Sequence, residues 1–128
     1  MNIEQSSVSK TAEAGIWRIT WMLVNQGTDS LSVLSARLPH GQFRADEQRF
    51  EPPLCLNGGE KAQFCALVRC DEPVGLVTEN AFIIFQAIWS AEPWRIFVRV
   101  RVMVKASGEP ETTVELITTQ KVGFAERH

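Results

Sequence analysis

Between residues 94 and 104 every second position carries a large apolar side chain, and three of the five positions in between are arginines. Successive side chains of an extended strand point to opposite faces, so this period of two predicts a strand with one buried face and one wet face. The same alternation runs through residues 16–25, where large apolar residues alternate with Arg18 and Thr20. Helical periodicity is convincing nowhere in the chain, so the pattern predicts an all-β fold.

Clusters of turn-forming residues separate the alternating stretches. Gly and Asn tolerate positive φ angles, Asp and Ser bond their own backbone, and Pro restricts its neighbours, so such clusters predict turns. The clusters are residues 25–30, 39–41, 57–60, 71–75 and 107–110. About seven short strands without intervening helices remain, and this arrangement predicts an antiparallel β-sandwich.

Several segments add detail to that prediction. Apolar positions shift within residues 31–38, which indicates a β-bulge or a strand that is apolar on both faces. Residues 42–50 fit an edge strand or one helical turn, and residues 113–122 fit a final strand or an extended tail. The two most apolar strands, residues 81–90 and 94–106, are joined by three residues, a spacing typical of a hairpin.

The size of the chain indicates one core. It has 128 residues, of which 45% are hydrophobic and 22% are charged. This length suits one domain, and the apolar share suffices for a packed interior. We therefore expect a single domain at residues 15–128 that ends in a strand or a tail, preceded by a flexible N-terminal segment at residues 1–14.

Two motifs resemble those of a known family. A tryptophan-rich strand ends in Val-Asn-Gln-Gly at residues 24–27, and a later strand follows Leu-Asn-Gly-Gly-Glu at residues 56–60. Over roughly residues 16–106 the chain resembles the immunoglobulin-like domains of the adhesion-related bacterial type. The resemblance implies an immunoglobulin-like antiparallel β-sandwich of about seven strands. It implies no activity, because the motifs are turn and strand chemistry.

Cysteine number and hydropathy indicate the compartment. Of Cys55, Cys65 and Cys70, one must stay unpaired, which fits a reducing environment better than a disulfide-stapled secreted domain. The polar N-terminal stretch lacks the apolar region of a secretory signal, and the longest apolar run, residues 81–91, is too short to span a bilayer as a helix. We therefore expect a cytoplasmic protein with no membrane partner.

No constellation of residues predicts catalysis, a metal site or a cofactor. His40 follows Pro39 in a loop, a position typical of a solvated residue rather than of a general base. The cysteines lack the close pairs of a zinc site. The acidic loop of residues 71–80 offers oxygen ligands for a hard cation without the spacing of a calcium-binding loop, and this alternative stays open. We expect a protein that is not an enzyme and that has no cofactor.

The strand at residues 81–90 is apolar on both faces. One face carries Ile83, Phe85, Ala87 and Trp89, and the other carries Phe82, Ile84 and Ile88. A strand of a two-layer sandwich normally buries only one face, so the second face must be covered by the C-terminal tail or by another subunit. Ile83, Phe85, Ala87 and Trp89 are the predicted protein-interface residues. We expect a homodimer that also binds a protein partner.

The wet face of the last long strand is the alternative binding surface. It carries Arg95, Arg99, Arg101 and Lys105, with Phe97 and Met103 among them. Such a row suits an acidic partner or a nucleic-acid backbone. The formal net charge of −2 gives no global attraction to polyanions, so nucleic acid is the less favoured partner.

Overall fold

The computed structural model describes residues 1–122. Within that range the secondary structure consists of eight β-strands and no helix. They are β1 (Asn2–Lys10), β2 (Ile16–Val24), β3 (Leu31–His40), β4 (Phe43–Leu56), β5 (Lys61–Arg69), β6 (Val77–Trp89), β7 (Glu92–Val104) and β8 (Pro110–Lys121). The predicted all-β fold is therefore confirmed.

The strands form one antiparallel sheet in the order β1-β2-β5-β4-β3-β6-β7-β8. The junction between β4 and β5 is narrow, because one residue pair, Arg44 opposite Arg69, joins them. Each arginine also lies near a carboxylate, Arg44 at 3.9 Å from Asp46 and Arg69 at 3.9 Å from Glu13, which offsets the like-charge pairing. The junction divides the sheet into a three-stranded half (β1, β2, β5) and a five-stranded half (β4, β3, β6, β7, β8).

At the other side of the molecule β1 and β8, the two ends of the sheet, meet along a seam. No backbone ladder joins them within residues 1–122, and the side chain of Gln5 bridges them instead. Its amide nitrogen donates to the Pro110 carbonyl at 3.1 Å, and its oxygen accepts from the Thr112 amide at 2.9 Å and from the Thr112 hydroxyl at 2.7 Å. The side-chain amide thus satisfies edge groups that a neighbouring strand would otherwise satisfy. The sheet is nearly closed, like a barrel.

Replacing Gln5 by alanine is expected to lower the free energy of unfolding by about 1–3 kcal/mol, because the part-buried Thr112 amide and Pro110 carbonyl lose their partner. Urea unfolding followed by circular dichroism measures the loss. The matched control is Ser9→Ala on the same strand, an exposed position where we expect a change within about 0.5 kcal/mol. Equal stabilities of the two variants would contradict the bridging role of Gln5.

Strand number and closure differ from the predicted sandwich. Seven strands in two sheets were predicted, and the structure has eight strands in one nearly closed sheet. The additional strand is β1, which occupies most of the segment predicted to be flexible. Ile3 is the one fully buried residue of β1, so its sequence carries little alternation. Backbone pairing with β2 and the Gln5 bridge hold it in place.

The structure decides between the alternatives that the sequence left open for three segments. Residues 43–56 form the long strand β4, and residues 110–121 form β8. Of the two alternatives for residues 31–38, the structure shows the bulge, as a register shift between Val33 and Ser35. The predicted β6–β7 hairpin is also confirmed, with Ser90 and Ala91 both at positive φ in its two-residue turn.

The core lies between the two halves of the sheet and is rich in aromatic side chains. Trp21 of β2 stacks on Phe64 of β5 with ring centroids 5.3 Å apart. Phe64 in turn makes edge contacts with Phe50 at 5.8 Å and with Phe85 at 5.5 Å. Because these rings come from β2, β4, β5 and β6, the cluster ties the three-stranded half to the five-stranded half.

Candidate functional site

The four predicted interface residues of β6 are divided between core and surface. Ile83, Phe85 and Ala87 are 0%, 0% and 1% exposed and belong to the core cluster. They face inward because β6 lies within a sheet that curves around a single core. Within the monomer they are not available to a partner, which corrects the predicted interface. Trp89, at the end of β6, remains 38% exposed.

The opposite side of β6 continues onto β7 and β8 as one surface. The register places Phe82 opposite Arg99 and Arg99 opposite Leu116. It also places Ile84 opposite Phe97. The second apolar face of β6 and the basic row of β7 are therefore neighbours. We define this surface, the β6–β8 outer face, by Val77, Phe82, Phe97, Arg99, Arg101, Met103 and Leu116; Ile84 lies on the same side but is buried.

The most exposed apolar residues of the outer face lie toward one end of β7. Met103 is 41% exposed, and Val77, opposite it, is 37% exposed. Val74 and Leu76, in the loop before β6, are also exposed, and Leu116 on β8 is 47% exposed. Single exposed apolar residues are common on proteins, whereas several on one side indicate an interaction surface.

Sequence reasoning missed Val77 and Leu116 as members of this surface. Leu116 lies in a threonine-rich stretch next to a register shift of β8, so simple alternation does not identify its face. Its cross-strand position opposite Arg99 is the decisive signal, and the register provides it.

The predicted anion-binding residues Arg95, Arg99, Arg101 and Lys105 lie on β7 and directly after it. Arg101 lies 3.4 Å from Glu79, and Lys105 lies 3.8 Å from Glu111. Such exposed pairs contribute little to stability, but they offset part of the formal charge of the row. The Nε atom of Arg99 is buried and has no hydrogen-bond partner in the described part of the chain. Arg95 lines a groove of about 550 Å³ between β3, β4 and β6.

The residues considered for chemistry lie apart from one another. His40 sits at the exposed turn between β3 and β4, where its Nδ1 accepts from the Gln42 amide at 3.2 Å. Within residues 1–122 no group of three or more His, Cys, Asp or Glu side chains could hold a metal ion. In the acidic loop considered for a cation, Glu79 pairs with Arg101.

All three cysteines are free thiols. Cys70 is buried at the end of the β2–β5 pair, where its carbonyl accepts the indole N–H of Trp17 at 2.8 Å. Burial, reinforced by the nearby Glu72 carboxylate, raises the pKa of the Cys70 thiol. The thiolate is the reactive form of cysteine, so this environment disfavours reaction at Cys70.

The two motifs behind the immunoglobulin-like resemblance meet at one corner of the fold. The amide of Asn25, which is 3% exposed, donates to the carbonyls of Asp29 at 2.8 Å and Leu56 at 2.9 Å and accepts from the Gly27 amide at 3.0 Å. A Cβ at Gly58 would lie 2.8 Å from the Gly27 carbonyl oxygen, so this close approach requires glycine. The motifs therefore join two loops and have a structural role.

Comparison of the chain with protein-family models, with curated proteins and with solved structures gave no match. Across residues 1–122 no helix is long and apolar enough to cross a membrane.

Proposed function

We propose that this chain is a non-enzymatic protein-interaction domain that self-associates through the β6–β8 outer face. The supporting observation is the cross-strand row of Phe82, Arg99 and Leu116, in which an aromatic ring, an arginine and an exposed leucine are neighbours on three strands. Aromatic residues and arginine are enriched among the residues that dominate binding energy in protein interfaces.

The size of the outer face suits a dimer. β7 has 13 residues, so three strands of that length, with their standard spacing, cover about 600 Å². Each partner of a standard complex buries ~800 Å². The face also carries both signs of charge, since Arg99 and Arg101 on β7 lie between Glu79 on β6 and Glu111 on β8.

The substitution Leu116→Glu is expected to weaken self-association about tenfold or more, because it places a carboxylate in the apolar part of the interface. Sedimentation equilibrium across a concentration series measures the dissociation constant. Leu67→Glu is the matched control, since Leu67 is 56% exposed on β5 and lies outside the outer face. We expect that variant to associate as the original chain does.

Two results would count against self-association by this face. One is a strictly monomeric original chain at high micromolar concentration. The other is an equal loss of association in Leu116→Glu and Leu67→Glu, which would show a general effect of surface charge. If the chain were monomeric and bound an acidic protein, and if Arg99→Glu abolished that binding, the partner of the outer face would be a different protein and not a second copy.

Polyanion binding through Arg95, Arg99, Arg101 and Lys105 is the second candidate. The row of basic side chains along one strand favours it, since guanidinium and ammonium groups bind oxyanions through charge-assisted hydrogen bonds. The ion pairs of Arg101 and Lys105 favour the protein-interaction proposal instead, because they reduce the local positive charge. If the chain bound heparin in a way that weakens steeply with salt and is lost in Arg99→Glu, polyanion binding would become the favoured function.

Kinship with the adhesion-related immunoglobulin-like domains is part of the proposal. It is supported by the Asn25 corner, which joins both motifs of the resemblance, and by the division of the sheet into two halves. Three free cysteines support a reducing compartment. Neither point assigns an activity, because folds of this type host many functions.

A further inference from the structure

Strand β5 is paired along its full length on one side only. On the side of β2 every residue of β5 has a partner, and the register is free of shifts. On the other side Arg69 is paired with Arg44 of β4, and within residues 1–122 no further residue of β5 has a partner there. Residues 61–68 therefore present an open sheet edge, which we call the β5 edge.

Strand β4 runs beside β5 without covering this edge. Residues 50–53 of β4 fall within its register shift against β3 and have no partner on that strand, so this part of β4 departs from the regular sheet. Two grooves, each lined by residues of both strands, lie between β4 and β5. One has a volume of about 650 Å³ beside the start of β5, and the other has about 450 Å³ beside Leu67. The β5 edge therefore has open space at both of its ends.

The backbone groups that point to the open side follow from the bonds at the two ends of β5. The Glu60 carbonyl accepts from the Asn25 amide at 3.0 Å, and the Cys70 amide donates to the Gly15 carbonyl at 2.9 Å. Even-numbered residues of β5 therefore bond toward β2. Successive residues of a strand direct their amide and carbonyl to opposite sides, so odd-numbered residues direct theirs to the open side. These residues are Lys61, Gln63, Cys65 and Leu67.

The β5 edge lacks the features that usually prevent strand addition. Proteins protect such edges with proline, with bulges or with charged side chains. Residues 62–68 contain no proline and no charge, their register on β2 has no bulge, and Leu67 is 56% exposed. Cations flank this uncharged stretch, with Lys61 before it and Arg69 after it. The edge therefore suits an extended segment with an uncharged middle and acidic ends.

We propose that the β5 edge binds an extended peptide segment of a partner protein, which adds as an antiparallel strand and places carboxylates near Lys61 and Arg69. Strand addition to an exposed edge is a recurrent mode of peptide recognition, in which the backbone supplies the affinity. A second copy of β5 fits less well, because a symmetric antiparallel pair brings Lys61 of one copy close to Arg69 of the other. The site is independent of the outer face and of self-association.

The side chains of β5 indicate the pattern of the peptide. Ala62 and Ala66 lie on the core side of the strand, packed against the core cluster, and both are small. Residues directly opposite each other in an antiparallel pair have neighbouring side chains. Larger apolar side chains of the peptide therefore belong opposite Ala62 and Ala66, and polar ones belong opposite Gln63 and Cys65. Acetyl-Glu-Val-Thr-Val-Thr-Val-Glu-amide has this pattern and serves as the probe.

The test is hydrogen exchange of the ¹⁵N-labelled chain with and without this peptide. In the free chain we expect the amides of Gln63, Cys65 and Leu67 to exchange fast and those of Phe64 and Ala66 to exchange slowly, because the latter bond β2. We expect a dissociation constant on the order of a millimolar, since a short peptide must be ordered on binding. At a peptide concentration nine times that constant, exchange of the first set should slow about tenfold.

Proline at position 63 tests the edge from the side of the protein. Gln63→Pro removes an amide that points to the open side and leaves the bonds to β2 intact, a position where strands tolerate proline. We expect this variant to bind the peptide at least about fivefold more weakly, as one lost hydrogen bond would give. Gln63→Ala is the matched control and should bind as the original chain does.

Methylated peptides test the same bonds even if Gln63→Pro does not fold. N-methylation of both threonines blocks the amides that face β5 and should weaken binding at least about fivefold, whereas N-methylation of the second and third valines blocks outward amides and should not. Equal affinity of the two methylated peptides, or unchanged exchange with the original peptide, would overturn the proposal. Protection of Gln63, Cys65 and Leu67 that rises with protein concentration in the free chain would also overturn it, in favour of a second copy.

Discussion

Replacing Trp21 by alanine is expected to lower the free energy of unfolding by about 4 kcal/mol. Trp21 is 1% exposed and lies at the junction of the two halves of the sheet, where it stacks on Phe64 and meets Phe43 edge to face at 6.5 Å. Its removal leaves a large void that neighbouring rings cannot fill without leaving their rotamers. Guanidinium unfolding followed by fluorescence of the remaining tryptophans and by circular dichroism measures the loss.

The more conservative variant Trp21→Phe separates packing from hydrogen bonding. The Trp21 indole donates to the Thr112 hydroxyl at 3.3 Å, and that hydroxyl donates to Gln5 across the seam. We expect Trp21→Phe to lose about 1–2 kcal/mol, between the original chain and the alanine variant. Trp89→Ala is the control, since Trp89 is partly exposed and should cost less than about 1 kcal/mol. A similar loss in Trp21→Ala and Trp89→Ala would refute the central role of Trp21.

The substitution Asn25→Ala is expected to lower the free energy of unfolding by about 3 kcal/mol. The Asn25 amide bonds the backbone of Asp29, Leu56 and Gly27, and the bond to Leu56 is buried. Alanine leaves these backbone groups without partners in a place that water reaches poorly. Urea unfolding measures the difference, and hydrogen exchange should show faster opening of the loops at residues 25–30 and 56–60.

Asn57→Ala is the matched control for Asn25→Ala. Asn57 lies in the same pair of loops, but its side chain is exposed and accepts one hydrogen bond, from Ser30 at 3.1 Å. We expect it to change stability by less than about 1 kcal/mol. If both variants were equally stable, the Asn25 corner would be a consequence of the fold rather than one of its supports.

Most strands could be predicted because strand alternation is a local property. In β7 the even-numbered residues were predicted to face the core, and Val98 and Val100 are indeed 0% exposed. The pleat alone places successive side chains on opposite faces, so no knowledge of the partner strand is needed. The turn residues between the strands act through their own backbone preferences and are local for the same reason.

The candidate site could be predicted only in part. The basic row of β7 was identified by alternation, and of the four residues predicted for the interface Trp89 alone is exposed. Ile83, Phe85 and Ala87 were assigned to the wrong side, because β6 is apolar on both faces and local pattern cannot say which one meets the core. Leu116 was not predicted to belong to the site, because its position beside Arg99 depends on the register of β8.

The sequence by itself determined that this protein is built of antiparallel strands, where most of its turns fall, and which side of β7 is buried. These properties follow from backbone geometry over a few residues. The tertiary structure alone decided that β1 completes the sheet, that Gln5 closes the seam with Pro110 and Thr112, and which face of β6 is free. Those outcomes depend on contacts between segments that are distant in the sequence, 105 and 107 residues apart for the Gln5 bonds, and the local pattern carries no signal for such contacts.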